Sequence, residues 1–187
     1  QTYDVIENVK NFRSELGILY LNDFNRKVLG KIFEENNLEF HELFDCQEYV
    51  YLWSGHPLAK KKEITLEDLE DYPFLSFDQG SNNSFYFAEE VFSTYEYKQS
   101  IKANDRATML NLMKGLNGYT LCSGIICENL NGSEYCAVKL STEETMTIGY
   151  LKRKGIPLSS IGKEYLKEIS KYNVTIQHTI IPRGVLA

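Results

Sequence analysis

The sequence predicts a layered α/β fold: apolar residues at helical spacing alternate along the chain with short β-prone runs, and several of those runs lead through polar residues into the next helical pattern. Composition permits such a fold. The chain has 187 residues, 43% hydrophobic and 25% charged, enough for a proper core in one or two domains. Tyr (13) and Phe (10) are plentiful, whereas 12 Gly and 4 Pro are too few for a fibrous or disordered chain. No apolar run approaches the roughly 18 residues of a membrane span, and residues 1–20 lack a basic-then-apolar signal pattern, so no membrane partner is expected.

The elements follow in order. Val5, Ile6, Val9, Phe12 and Leu16 recur at helical spacing, and Gly17 ends that run before the apolar stretch Ile18 to Leu21. A second helix covers about Arg26 to Glu35 and stops at Asn36-Asn37. Tyr49 to Trp53 is a continuous apolar run, as in a strand covered on both faces. Thr65-x-x-Asp68 resembles a capping box opening a short helix that ends near Tyr72-Pro73. Phe74 to Phe77 reads as a strand, followed by the turn-prone run 78–83 and a helix bearing Phe85, Ala88, Val91 and Phe92. Tyr97, Gln99, Ile101 and Ala103 alternate as a strand. Asn104-Asp105 can cap the clearest amphipathic helix, with Met109, Leu112, Met113 and Leu116 on its stripe and Gly115 and Gly118 at its end. Strands are expected at Tyr119 to Cys122, Tyr135 to Leu140 and Met146 to Tyr150, then a last helix bearing Ile161, Tyr165, Leu166 and Ile169. Residues 173–187 show no clear element.

Catalytic and cofactor patterns are missing. There is no G-x-G-x-x-G, Walker or G-x-S-x-G pattern, so Ser123-Gly124 is no nucleophile elbow and no cofactor is expected. His41, His56 and His178 lie far apart without carboxylate or Cys at ligand spacing, so no metal site is expected. Cys46, Cys122, Cys127 and Cys136 form no C-x-x-C and read as reduced thiols, which fits a cytoplasmic protein. Glu89-Glu90 and Glu143-Glu144 read as solvated surface, and Lys60 to Lys62 is offset by the acids that follow. A net charge of -6 argues against a surface that grips phosphates. What stands out is three strand-to-helix transitions that carry polar groups, at Ser76 to Ser81, Asn104 to Arg106 and Ser123-Gly124. In open α/β sheets ligands sit at such strand ends; ordinary turns are the competing reading.

Gly55-His56-Pro57-Leu58-Ala59, Ile64-Thr65-Leu66-Glu67-Asp68-Leu69 and Tyr72-Pro73-Phe74-Leu75 resemble, in order, segments of the effector-binding domain of LysR-type transcriptional regulators. Val5 to Val9 with Glu15-Leu16-Gly17-Ile18, where Glu15 stands in for the family's Asp, and Asp105 to Leu121 extend the resemblance to about residues 4–171. It implies a two-lobed α/β domain like the type 2 periplasmic binding proteins, with two crossovers and a cleft between the lobes. Ser54 to Ala59 would be the outbound crossover and Leu140 to Thr145 the return. Lobe I would hold 1–55 and 143–187, and lobe II 56–142. The family's first β-α-β unit and its N-terminal winged helix-turn-helix are missing from this sequence.

The resemblance implies a non-enzymatic sensor: a small polar metabolite binds in the cleft, and promoter DNA is engaged only through the absent N-terminal domain. A homodimer or homotetramer is the assembly it implies, with the helices expected at 26–35 and 85–92 as candidate contacts. Ser76, Asp78, Gln79, Ser81, Asn104, Arg106 and Ser123 are the candidate effector contacts. A stand-alone solute-binding protein of transporter type is the alternative on the same fold.

Overall fold

The computed structural model describes residues 1–126 and 132–175. Two sheets, each with its own helices, form two lobes. The first sheet has the order β1 (Leu16–Leu21), β9 (Thr145–Arg153), β2 (Leu38–Gln47), with β9 antiparallel to both neighbours. Helix α1 (Thr2–Lys10) buries Ile6 and Val9, and α2 (Arg26–Glu35) buries Leu29 and Phe33, one turn apart on one face. They meet Leu19, Leu21, Leu38 and Leu151 from the strands in one core. α1 crosses β1 so closely that a Cβ on Gly17 would lie 2.3 Å from Cγ1 of Val5, so this position takes glycine.

The second sheet runs β4 (Glu63–Ile64), β8 (Tyr135–Leu140), β3 (Tyr49–Trp53), β7 (Thr120–Cys122), with β3 antiparallel to β7 and β8. The parallel pair β5 (Phe74–Phe77) and β6 (Ser100–Ala103) extends it. The Leu75 N–H donates to the Tyr119 carbonyl at 2.7 Å, and the Tyr119 N–H to the Pro73 carbonyl at 3.1 Å. Covering one face is α3 (Arg106–Leu116), whose Met109 and Met113 pack on Tyr51, Leu75 and Ala103. The other face buries Val50, Leu52, Phe74 and Leu121. Alternation along β3 therefore sends Tyr51 to the helix side and its two neighbours away from it.

Several sequence expectations change. β3 belongs to the second sheet, so the chain leaves the first at Glu48 and not at Ser54–Ala59. The continuous apolar run of β3 marks a strand covered on both faces but does not say in which lobe it lies. Strand β2 was not anticipated: Glu42 and Leu43 invert the apolar-polar alternation where a bulge sits between Glu42 and Phe44. The helix expected over 85–92 is only the 3-10 turn Phe85–Phe87. Tertiary contacts take its groups instead, with Tyr86 stacked on Phe24 at 4.7 Å and the Tyr20 hydroxyl donating to the carbonyls of Ala88 and Glu90 at 3.2 Å. A left-handed Phe92 (φ 53°) then turns the chain away. The capping pair does form, Asp68 and Thr65 each accepting the other's N–H, but around a single 3-10 turn. α3 ends on a left-handed Asn117, and its Leu116 is exposed. Helix α4 (Ser160–Ser170) is capped by Ser159 and leaves Ile161 83% exposed, and a single turn over Tyr172–Thr175 follows it. Residues 127–131 and 176–187, with Cys127 and His178, lie outside the described residues.

The chain passes between sheets at Glu48 and again at 141–144, and the Leu140 N–H donates to the Glu48 carbonyl at 2.9 Å where the two crossings meet. The Glu48 side chain is fully buried, and neither carboxyl oxygen has a hydrogen-bond partner among the described residues. Burial, and secondarily the Glu144 charge, pushes its pKa from 4.5 up to about 7. Folding therefore holds a proton on Glu48 that the unfolded chain gives up, so this stabilisation is whole below pH 4.5 and is lost as pH rises through 7. Glu48→Gln is expected to flatten that decline. In urea titrations it should be more stable than the parent at pH 8, by about 3 kcal/mol at most, and differ little at pH 4.5.

Candidate functional site

The lobes touch along one seam and open along the rest. α1 of the first lobe points its N-terminus at the second, where Oε1 of Gln79 accepts the Thr2 N–H at 3.0 Å and Nε2 of Gln79 donates to Glu89 at 2.9 Å. Next to this clasp, a cavity of about 280 Å³ reaches from the interlobe face into the second lobe, under α3. Tyr20, Met146 and Ile148 line it from the first lobe. Glu90, Arg106, Ser123, Tyr51 and Thr120 provide polar groups from the second, and Phe77, Met109, Leu110 and Met113 provide apolar wall. A wider opening of about 440 Å³ shares Tyr20, Glu89, Arg106, Ser123 and Ile148 with it and continues along α1 and α2.

Local sequence explains the polar wall. Asp105 takes the extended conformation of an N-cap and accepts the Thr108 N–H at 2.8 Å, so α3 starts on Arg106 with its first N–H groups and its positive dipole end toward the cleft side. Ser123 follows β7 and precedes a left-handed Gly124 (φ 75°), where a Cβ would lie 2.5 Å from the Tyr49 ring. Of the sequence-derived candidates, Arg106 and Ser123 come together on both cavities. Ser76, Asp78, Gln79, Ser81 and Asn104 line neither of them. Gln79 is buried in the clasp, Asp78 accepts the Gly80 N–H at 3.1 Å, and Ser81 and Asn104 are exposed.

Glu90 corrects the expectation of a solvated Glu89-Glu90 pair. It is 4% exposed, and its Oε1 accepts the Phe77 N–H at 2.9 Å. Burial first, then the Glu89 charge, pushes its pKa up to about 8, against the pull of that N–H and Lys102. At neutral pH the cavity therefore faces a mostly uncharged acid on Glu90 and a cation on Arg106. Burial also raises the Cys122 thiol to about 11, which leaves it a poor nucleophile. Cys46, Cys122 and Cys136 are free thiols. Among the described residues no group of three His, Cys, Asp or Glu side chains could hold a metal ion, and no helix is long and apolar enough to cross a membrane. Tyr20, Tyr51, Glu90 and Thr120 were not among the candidates. Only the two-residue periodicity of β3, which turns Tyr51 toward α3, carried a sequence signal for any of them.

The LysR substrate binding domain family model matches residues 1–167. The malolactic fermentation system transcriptional activator of Lactococcus lactis subsp. lactis (strain IL1403) is 25% identical over 175 residues, covering 88% of this chain and 58% of that protein. The chain thus spans little more than half the length of this relative. Among solved structures, the effector binding domain of QuiR in complex with shikimate is 19% identical with a TM-score of 0.59, covering 96% of this chain and 80% of that one. The BenM effector binding domain with its effector benzoate is 17% identical with a TM-score of 0.56, covering 100% and 81%. At these identities the two structures speak for the fold. The geometry of the clasp has its own consequence: Gln79→Ala should lower stability by about 1 kcal/mol, as loss of a helix cap does, and enlarge the radius of gyration in small-angle scattering.

Proposed function

From the premise that this chain belongs to the LysR substrate-binding domain family, we propose that it is the ligand-sensing part of a transcriptional regulator and binds a small polar metabolite between its lobes. The observation that carries this reading is the cavity of about 280 Å³ whose walls come from both lobes, because a ligand touching both walls favours one lobe arrangement over another. Such a shift, passed to an N-terminal DNA-binding domain beyond these residues, alters promoter engagement by a homodimer or homotetramer. The net charge of -6 fits a chain that does not itself grip DNA.

The ligand's acidic group goes to Arg106 and the start of α3, with Ser123 beside them. The shikimate and benzoate held by the two similar domains are both carboxylates, which supports that choice. The Glu89 carboxylate on the cavity wall opposes a second negative charge, so a monocarboxylate carrying hydroxyls or an amine is favoured over a dicarboxylate. Ser76, Asp78, Gln79, Ser81 and Asn104 act through the loops that hold β5, β6 and the start of α3 in place. No activated nucleophile lines the cavity among the described residues, which favours sensing over catalysis.

Calorimetry with a panel of monocarboxylates and dicarboxylates tests the reading. Arg106→Ala is expected to weaken the best monocarboxylate by about 1.5–3 kcal/mol, the range of a hydrogen bond to a charged group. Asn104→Ala, outside both cavities, should change it far less. A dicarboxylate that binds tightest, with affinity indifferent to Arg106→Ala, would overturn the assignment.

A further inference from the structure

The inner end of the interlobe cavity carries polar groups for which the fold itself has no use. Tyr51 and Thr120 are directly opposite each other on the antiparallel strands β3 and β7, so their side chains share the face turned to α3, with Cβ atoms about 5 Å apart. Each residue is 6% exposed, and both line the cavity. Neither the Tyr51 hydroxyl nor the Thr120 hydroxyl has a hydrogen-bond partner among the described residues. Their surroundings show that this is a local exception. The Tyr20 hydroxyl donates to the Ala88 and Glu90 carbonyls, that of Tyr97 to Phe92, and that of Tyr135 to Leu110 at 3.2 Å.

A buried hydroxyl without a partner is destabilising, and two on paired residues of one cavity wall make a site that wants an occupant. The groups around them narrow what the occupant is. Met109 and Met113 of α3 form the apolar wall beside the pair, and Arg106 stands at the start of the same helix, about one to two turns away.

We propose that Tyr51 and Thr120 form the anchor for the buried end of the ligand, so that the cleft selects a small carboxylic acid bearing a hydroxyl or carbonyl oxygen opposite its carboxylate. This rests on the cleft reading above and goes further, by adding two contacts and a chemical requirement at the far end of the molecule. The carboxylate faces Arg106 at the mouth, the body of the ligand lies along the methionines, and its far oxygen exchanges hydrogen bonds with the two hydroxyls. The corresponding deoxy acid leaves both hydroxyls unpaired, and that is how the site rejects it.

Tyr51→Phe and Thr120→Val keep the shapes and remove the hydroxyls. In the 187-residue chain without ligand, each is expected to raise the melting temperature by about 2–4 °C. A fall would mean that an ordered water or the fold already satisfies these groups, and would overturn the proposal. Calorimetry then uses two matched pairs as probes, 4-hydroxybenzoate against benzoate and shikimate against cyclohex-1-ene-1-carboxylate. Within at least one pair the parent should prefer the hydroxylated acid by about tenfold, equivalent to 1.4 kcal/mol, and either substitution should erase that preference while leaving the deoxy acid unaffected. Acids that bind through Arg106 but without regard to Tyr51→Phe and Thr120→Val overturn the anchor and leave the cleft reading standing. If none of the four acids binds, the cleft reading fails and the anchor falls with it.

Discussion

One backbone joint sets everything else in this structure. The chain crosses between lobes at Glu48 and again at 141–144, and the hydrogen bond from the Leu140 N–H to the Glu48 carbonyl locks the two crossings side by side. Because β2, β3, β8 and β9 run straight into this joint, it sets the relation of the first sheet to the second. The cleft is what that relation leaves open. A carboxyl with no hydrogen-bond partner among the described residues sits at the joint itself, so protonation and lobe geometry meet at one residue.

Away from the joint the lobes rely on separate cores. Ile6, Val9, Leu29, Phe33 and Leu151 serve the first, and the second is split by its sheet into a helix side around Met109 and Met113 and an outer side around Leu52 and Leu121. Contact across the seam combines the Tyr20 hydroxyl, the Gln79 clasp and the Phe24–Tyr86 stack with an apolar patch, where Cys46 and Met146 of the first sheet join the outer core of the second lobe. Firm lobes with a modest seam are what a binding cleft needs, since a ligand then works against the seam and not against either core.

The electrostatics of the cleft follow from burial more than from net charge. Glu90 belongs to an acidic protein and yet presents a largely neutral acid to the cavity, because desolvation outweighs the N–H it accepts. Arg106, exposed at the start of a capped helix, stands where its positive charge adds to that of the helix end. Burial silences the Cys122 thiol, and the buried Tyr51 and Thr120 hydroxyls have no partner among the described residues.

By itself the sequence determined the α/β class, the family, and the strands and helices whose signals are local. Helices α1 to α3 follow from apolar spacing and the start of α3 from Asp105, whereas α3 ends on Asn117 and not at the expected Gly115 and Gly118. Arg106 and Ser123 were legible too, since polar residues at the end of a strand have a known place in such sheets. Only the tertiary structure decided which lobe owns β3, that 85–92 would spend its backbone groups on Tyr20 and not on a helix, and that Glu90 would be buried. Only it could pair Tyr51 with Thr120, which lie 69 positions apart in sequence. The reason is physical: spacing and caps act within a few residues, whereas burial and the loss of a hydrogen-bond partner depend on what the rest of the chain brings alongside.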